Sequence, residues 1–254
     1  MTNQPVRLFY RERGQGKPMI LIHGFPLDHS IWDAVAEDLS KKARVITPDL
    51  RGYGKSPKPE GEYTMRMMAD DLIALLDQLG IDKAIMVGHS MGGYITLALA
   101  KAYPQRLSGI GFVATQAAAD LPERRQARLI LVDEIKRKGA QAVVHANLKK
   151  YSRNAEVLKY TQELMLKAQP HVLMACLRGM ADREDMTDFL KEIAVPSVVI
   201  AGEQDDLIPL ERTREMVERL QRGWLVTVPN AGHMPMMESP QQVTSALIEL
   251  LQQT

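Results

Sequence analysis

The chain has 254 residues, 45% of them hydrophobic and 25% charged, enough to bury a substantial core in one or two domains. A formal net charge of +1 gives no electrostatic case for nucleic acid or an anionic membrane surface as a partner. Cys176 is the sole cysteine, which excludes an intrachain disulfide and fits a reducing compartment.

Residues 1–18 contain no apolar core of a signal peptide, and no apolar run approaches the ~18 residues of a membrane span. A cytoplasmic protein with no membrane partner is expected. Val6 to Tyr10 alternates and reads as a strand, followed by a turn over Arg11 to Gly16. Met19 to Ile22 is a continuous apolar run, as in a strand buried on both faces. It ends in His23-Gly24-Phe25-Pro26. Ile31 to Leu39 has helical spacing, with Ser30 as the expected N-cap. Val45 to Thr47 is a strand running into a glycine-rich loop, Asp49 to Ser56, which local hydrogen bonds would order. Thr64 caps a predicted helix over Met65 to Leu79 that stops at Gly80.

Next comes Gly88-His89-Ser90-Met91-Gly92, between the apolar stretch Ala84 to Val87 and an Ala- and Leu-rich helix over Met91 to Ala102. This G-x-S-x-G between strand and helix is the pattern of a nucleophile elbow, a turn sharp enough to force its serine into strained backbone. A Cβ at Gly88 or Gly92 would collide with neighbouring backbone. Ser108 to Ala114 is a further strand, and the alternation of strands with helices predicts a doubly wound, mostly parallel sheet with helices on both faces.

From about residue 116 to 189 only helical pattern appears: Glu123 to Lys138, Ala140 to Lys149, Glu156 to Lys167 and His171 to Met180. A crossover between parallel strands needs only about a dozen residues. The excess predicts a helical cap over 116–189, inserted into a core formed by 1–115 and 190–254. Cys176 falls in one of its apolar helical stretches and reads as packing. Its Arg124, Arg125, Arg128 and Lys136, Arg137, Lys138 runs read as solvated helix faces. Strand Ser197 to Ala201, helix Leu210 to Leu220, strand Trp224 to Val228 and helix Gln241 to Leu251 complete the core.

A neutral serine hydroxyl needs a base, itself oriented by a carboxylate. His233, in the loop after the last strand, is the histidine placed to serve Ser90. The loop after strand 197–201 offers Glu203, Asp205 and Asp206, with Asp205 favoured over Asp206. A tetrahedral intermediate needs two main-chain donors: Met91 N–H, just after the nucleophile, and Phe25 N–H, since Pro26 has none. Trp32 is a pocket wall or a core residue, and Met234 is favoured for the pocket because a thioether adapts to apolar shapes. His23 and His89 read as structural, and Asp49 and Arg51 read as ordering their loop, with a local pair between them left open by the sequence.

HGFP at 23–26, DLRGYGKS at 49–56, GHSMGG at 88–93, AGEQDDLIP at 201–209 and NAGHMPMMESP at 230–240 together resemble the α/β-hydrolase family. Within it, HGFPLDHSIW at 23–32 and ACLRGMADRED at 175–185 make the chain similar to 3-oxoadipate enol-lactonases and related carboxylesterases. The resemblance implies no metal and no organic cofactor. It implies a serine hydrolase that cleaves a small ester or lactone through an acyl-enzyme. A C–C bond hydrolase, a cofactor-free perhydrolase and a small-ligand receptor are the alternatives. A dicarboxylate substrate would call for a cation facing the pocket, from Arg128 or Arg178.

Overall fold

The structure, a computed structural model, describes residues 4–254. Seven strands form one sheet: β1 (Tyr10–Arg13), β2 (Pro18–Ile22), β3 (Arg44–Pro48), β4 (Ala84–His89), β5 (Leu107–Val113), β6 (Ser197–Gly202) and β7 (Gly223–Val228). Their order across the sheet is β1-β3-β2-β4-β5-β6-β7, and only the β1–β3 pair is antiparallel. The core helices are α1 (Asp33–Leu39), α2 (Met65–Gln78) and α3 (Met91–Ala102). Between β5 and β6 there is no strand but four helices: α4 (Pro122–Lys138), α5 (Gln141–Asn147), α6 (Ala155–Lys167) and α7 (Pro170–Ala181). The chain closes with α8 (Leu210–Arg219), the short α9 (Pro235–Glu238) and α10 (Pro240–Gln252). The fold is therefore the doubly wound α/β arrangement that the sequence predicts.

Side-chain alternation along each strand builds two cores at once. On β2, Ile20 and Ile22 join α2 and α3 on one face, while Met19 and Leu21 join α1 and α10 on the other. β4 repeats the division, with Met86 on the first face and Ile85 and Val87 on the second. Strands buried this way have no polar face, which is why they read as continuous apolar runs.

The chain leaves β2 toward α1 on one face and leaves β4 toward α3 on the other. A crevice opens at the C-terminal ends of adjacent strands where their connections diverge in this way, and ligands of open α/β sheets bind there. Here the crevice lies between His23–Pro26 and Ser90.

Two local expectations change. The first strand is Tyr10–Arg13 rather than Val6 to Tyr10. Side chains satisfy the earlier backbone, Val6 N–H donating to Asp71 Oδ1 at 2.8 Å and Phe9 N–H to Ser56 Oγ at 2.8 Å. Arg11 to Arg13 pair instead as a charged edge strand, which solvent tolerates. The helical turn expected to begin at Ser30 is a 3-10 turn, His29–Trp32, capped by Asp28, whose Oδ1 accepts from Ser30 N–H at 2.9 Å. Thr64 caps α2 as expected, accepting from Met67 N–H at 3.1 Å.

Candidate active site

Ser90 sits between β4 and α3 with φ 52° and ψ −113°, a left-handed strain no ordinary serine adopts. The turn closes because its glycines lack Cβ atoms. One added at Gly88 would lie 2.3 Å from the Gly92 carbonyl oxygen, and one at Gly92 2.6 Å from that of Ile22. Main-chain bonds fix the residue from both sides: Ser90 N–H donates to Val113 O at 2.9 Å, and the Thr115 hydroxyl donates to Ser90 O at 2.7 Å.

Ser90 Oγ lies 3.0 Å from His233 Nε2, and His233 Nδ1 lies 2.8 Å from Asp205 Oδ2. The Asp205 side chain is 2% exposed and that of His233 fully buried. An ionised carboxylate only accepts, so His233 carries its proton on Nδ1 and presents the Nε2 lone pair to the serine. The second Asp205 oxygen, Oδ1, accepts from the N–H groups of Leu207 and Ile208 at 2.7 and 2.9 Å. Both carboxylate oxygens are thus committed. The other acids of that loop face elsewhere: Asp206 lies 3.8 Å from Arg153, and Glu203 accepts weakly from Asn230 N–H.

Phe25 lines the cavity in front of Ser90. The Gly24 carbonyl accepts from His23 Nδ1–H at 2.9 Å and from Leu27 N–H at 3.0 Å. A trans peptide is planar, so holding that carbonyl sends the Phe25 N–H the opposite way. His23 is fixed in this tautomer because its Nε2 accepts from Leu50 N–H at 3.0 Å, and burial lowers its pKa and keeps it neutral. Met91 is the first residue of α3, where an N–H has no partner inside the helix.

His89, read from sequence as structural, holds the His233 loop. Its Nε2–H donates to the His233 carbonyl at 2.9 Å, and burial together with the neighbouring His233 keeps its pKa well below the ordinary value. Of the two pocket candidates, Trp32 takes the core alternative and Met234, favoured for the pocket, lies elsewhere. Trp32 and Met234 are fully buried in the α1/α10 core and do not line the cavity at Ser90. Asp49 and Arg51 do not pair with each other. Asp49 accepts from both the N–H and the ring Nδ1–H of His29, whereas Arg51 forms a two-pronged pair with Asp71 at 2.5 and 2.6 Å.

Two cavities matter. The one at Ser90, about 390 Å³, is lined by His233, Phe25 and side chains of the inserted helices, among them Arg124, Arg128, Lys150 and Tyr151. That volume suits a small molecule. The larger, about 1120 Å³, lies between α3, α7 and the start of α2, contains none of the three residues above, and includes Arg178. Arg128 thus lines the cavity at Ser90 and Arg178 does not.

Arg124 and Arg128 are not simply solvated helix faces. With Arg183 they surround the fully buried carboxylate of Asp120 at 3.5, 2.5 and 2.9 Å respectively. Arg124 and Arg128 also line the cavity at Ser90, together with Lys150 and Asp206, whereas Arg183 lines the larger one. Lys136, Arg137 and Lys138 are exposed as expected, and Cys176 is buried, its thiol pushed up to about 12 by burial. Sequence reasoning also missed Tyr151, in Leu148-Lys149-Lys150-Tyr151-Ser152, where no motif marks it.

Among the described residues, Asp28, His29 and Asp49 bring potential metal-ligand atoms within 4.8 Å of one another. The Asp49 oxygens are already taken by His29 and by Lys55 N–H at 2.8 Å, so the cluster orders its loop. Among the same residues no helix is long and apolar enough to cross a membrane.

The family model described as "alpha/beta hydrolase fold" matches residues 17–240. The chain belongs to the α/β-hydrolase fold family. A thermophilic esterase from Thermogutta terrifontis, solved with malate bound, is 36% identical with a TM-score of 0.94, over 97% of this chain and 94% of that one. The 3-oxoadipate enol-lactonase 2 of Acinetobacter baylyi is 28% identical over 97% of this chain and 94% of its own length. The 2-hydroxy-6-oxo-6-(2'-aminophenyl)hexa-2,4-dienoic acid hydrolase of Metapseudomonas resinovorans is 26% identical over 95% of this chain and 86% of its own. Membership of this family, with esterase and lactonase relatives, supports a hydrolase.

Proposed function

We propose that this hydrolase cleaves a carboxylic ester or lactone of a small molecule through an acyl-enzyme on Ser90. The observation that carries the reading is the unbroken relay from Ser90 Oγ through His233 to Asp205, at 3.0 and 2.8 Å, on the wall of a small cavity. Ser90 Oγ attacks the carbonyl carbon as its proton passes to His233 Nε2. The oxyanion is held by the N–H groups of Phe25 and Met91, each worth about 3 kcal/mol in the transition state. Asp205 stabilises the imidazolium, which then protonates the departing alkoxide. Water, giving its proton to Nε2, attacks the acyl carbon and releases the acid and Ser90.

In this reading the helices between β5 and β6 form a cap, the substrate is the partner, and neither nucleic acid nor membrane is involved. The single buried cysteine fits a cytoplasmic setting. The positive charge at Arg124, Arg128 and Lys150 favours an ester bearing an anionic group, in keeping with the malate held by the Thermogutta esterase. The dienoic acid hydrolase among the relatives favours, as second reading, C–C bond cleavage on the same three residues.

Ser90→Ala is expected to lower kcat on 4-nitrophenyl esters about a millionfold. Turnover within about tenfold of wild type would overturn the assignment of Ser90. Running 4-nitrophenyl esters, enol-lactones and vinylogous diketones side by side separates ester from C–C chemistry.

A further inference from the structure

Two loops must hold still for this reaction: the one carrying Phe25 N–H and the one carrying His233. Each is anchored from the sheet side. His23 and Leu27 hold the Gly24 carbonyl, and His89 holds the His233 carbonyl. The Phe25 carbonyl and the His233 N–H turn toward the inserted helices, and the same residue meets both there, by its side chain and its main chain respectively.

Tyr151 follows the 3-10 turn Leu148–Lys150 and is 4% exposed. Its hydroxyl donates to the Phe25 carbonyl, across 126 residues of chain. Its main-chain carbonyl accepts from His233 N–H at 3.0 Å. Its ring stands edge-on to the His233 imidazole, centroids 5.2 Å apart and planes at 83°. The adjoining residue strengthens the seam: Ser152 Oγ donates to Glu238 Oε1, whose Oε2 accepts from Gly232 N–H at 2.8 Å. Burial pushes the Tyr151 phenol well above its ordinary value, so it stays a donor throughout the working range.

We propose that Tyr151 is a positioning residue that sets the Phe25 donor loop and the His233 base together, so that the helical segment must be seated for the site to be competent. Sheet-side bonds fix one peptide on each loop; Tyr151 fixes the adjoining one, Phe25–Pro26 on the first and Gly232–His233 on the second. Without its hydroxyl the Phe25 carbonyl loses its partner in a buried place, and the loop is free to rotate toward another. An oxyanion donor that drifts loses its advantage in the transition state rather than in the bound substrate. The proposal rests on the reading of Phe25 N–H as an oxyanion donor and of Ser90 as nucleophile.

Tyr151→Phe removes the hydroxyl and keeps both the ring and the carbonyl that holds His233. Active sites are first counted by stoichiometric phosphonylation of Ser90, so that misfolded protein is divided out. Per site, kcat on 4-nitrophenyl acetate should fall roughly 10–100-fold with KM within about twofold. The affinity for a phenylboronic acid, which takes tetrahedral geometry on the serine, should fall in parallel with kcat. Asn154→Ala is the control for loosening of the segment. It removes the cap of α6, whose Oδ1 accepts from Glu156 and Val157 N–H, and should lower the melting temperature with kcat unchanged.

Wild-type kcat and boronate affinity in Tyr151→Phe would overturn the proposal. So would a rise in KM as large as the loss in boronate affinity, or an equal kcat loss in Asn154→Ala. Turnover retained by Ser90→Ala, run alongside, would instead remove the hydrolase reading and leave the Tyr151 contacts without that role.

Discussion

Along the sheet rim, the groups proposed to react stand just past strand ends. Ser90 follows β4 directly, Asp205 lies in the loop leaving β6, and His233 in the loop leaving β7. In the inserted helices, the groups that reach the same cavity come from the middle of α4 (Arg128), the connection before α6 (Tyr151) and the far end of α7 (Met180), with no shared motif. The first set is positioned by backbone geometry that a few glycines and a strand terminus dictate. The second is positioned by side-chain packing over long separations. Mutations should therefore act differently in the two regions: abolishing chemistry at the rim, and tuning selectivity or stability in the helices.

The sharpest contrast after Ser90→Ala is Asp205→Asn. The Leu207 and Ile208 N–H groups need an acceptor and would take the amide oxygen. The amide NH2 then faces His233 Nδ1, which must accept, so the proton moves to Nε2 where the serine needs a lone pair. A loss in kcat of about 10⁴-fold is expected, with the fold intact by circular dichroism. A loss under about tenfold would show that the carboxylate does not set the tautomer.

On the helical side the corresponding carboxylate is Asp120. Burial alone would raise its pKa, but hydrogen bonds and charge from Arg128 and Arg183 outweigh it and hold the carboxyl below its ordinary value. A depressed folded-state pKa contributes stability that is present above about pH 4 and lost as pH falls through the folded value. Asp120→Asn should thus lower the melting temperature by several degrees at pH 7, about 2–3 kcal/mol. The gap to wild type should narrow below about pH 4. A gap that stays constant down to pH 2 would detach Asp120 from the acid response.

The same division decides how much could be read from the sequence. Gly88, Gly92 and the order Ser, Asp, His announce the rim because close backbone approach and strand-end placement admit few alternatives. Proximity in sequence to a site residue does not fix which core a side chain enters: Met234, favoured for the pocket, and Trp32, open between pocket and core, both turn into the α1/α10 layer. Arg51 sits two residues from Asp49, yet pairs with Asp71 on α2, a choice made by tertiary packing. Tyr151 carried no signal at all, since its three contacts lie 126 and 82 positions away, at Phe25 and His233. Helical periodicity in the insertion gave its four helices but not the rotation that turns Arg128 inward.

That rotation supplies the finest test. Arg128 on α4 and Arg178 on α7 carry equal charge, but only Arg128 faces the cavity at Ser90. Arg128→Met leaves Asp120 with Arg124 and Arg183, so the buried carboxylate keeps cationic partners and the fold should persist. Its effect should appear as selectivity: kcat/KM for a 4-nitrophenyl hemisuccinate falls about tenfold, or 1.4 kcal/mol, while that for the uncharged butyrate stays within about twofold. Arg178→Met should leave both esters within about twofold, because its charge is presented to the other cavity and is screened by solvent on the way. Equal losses on the two esters in Arg128→Met would mean that the guanidinium supports packing and not an anionic group of the substrate. A selective loss in Arg178→Met would join the two cavities, by way of Tyr94 which lines both, into one binding site.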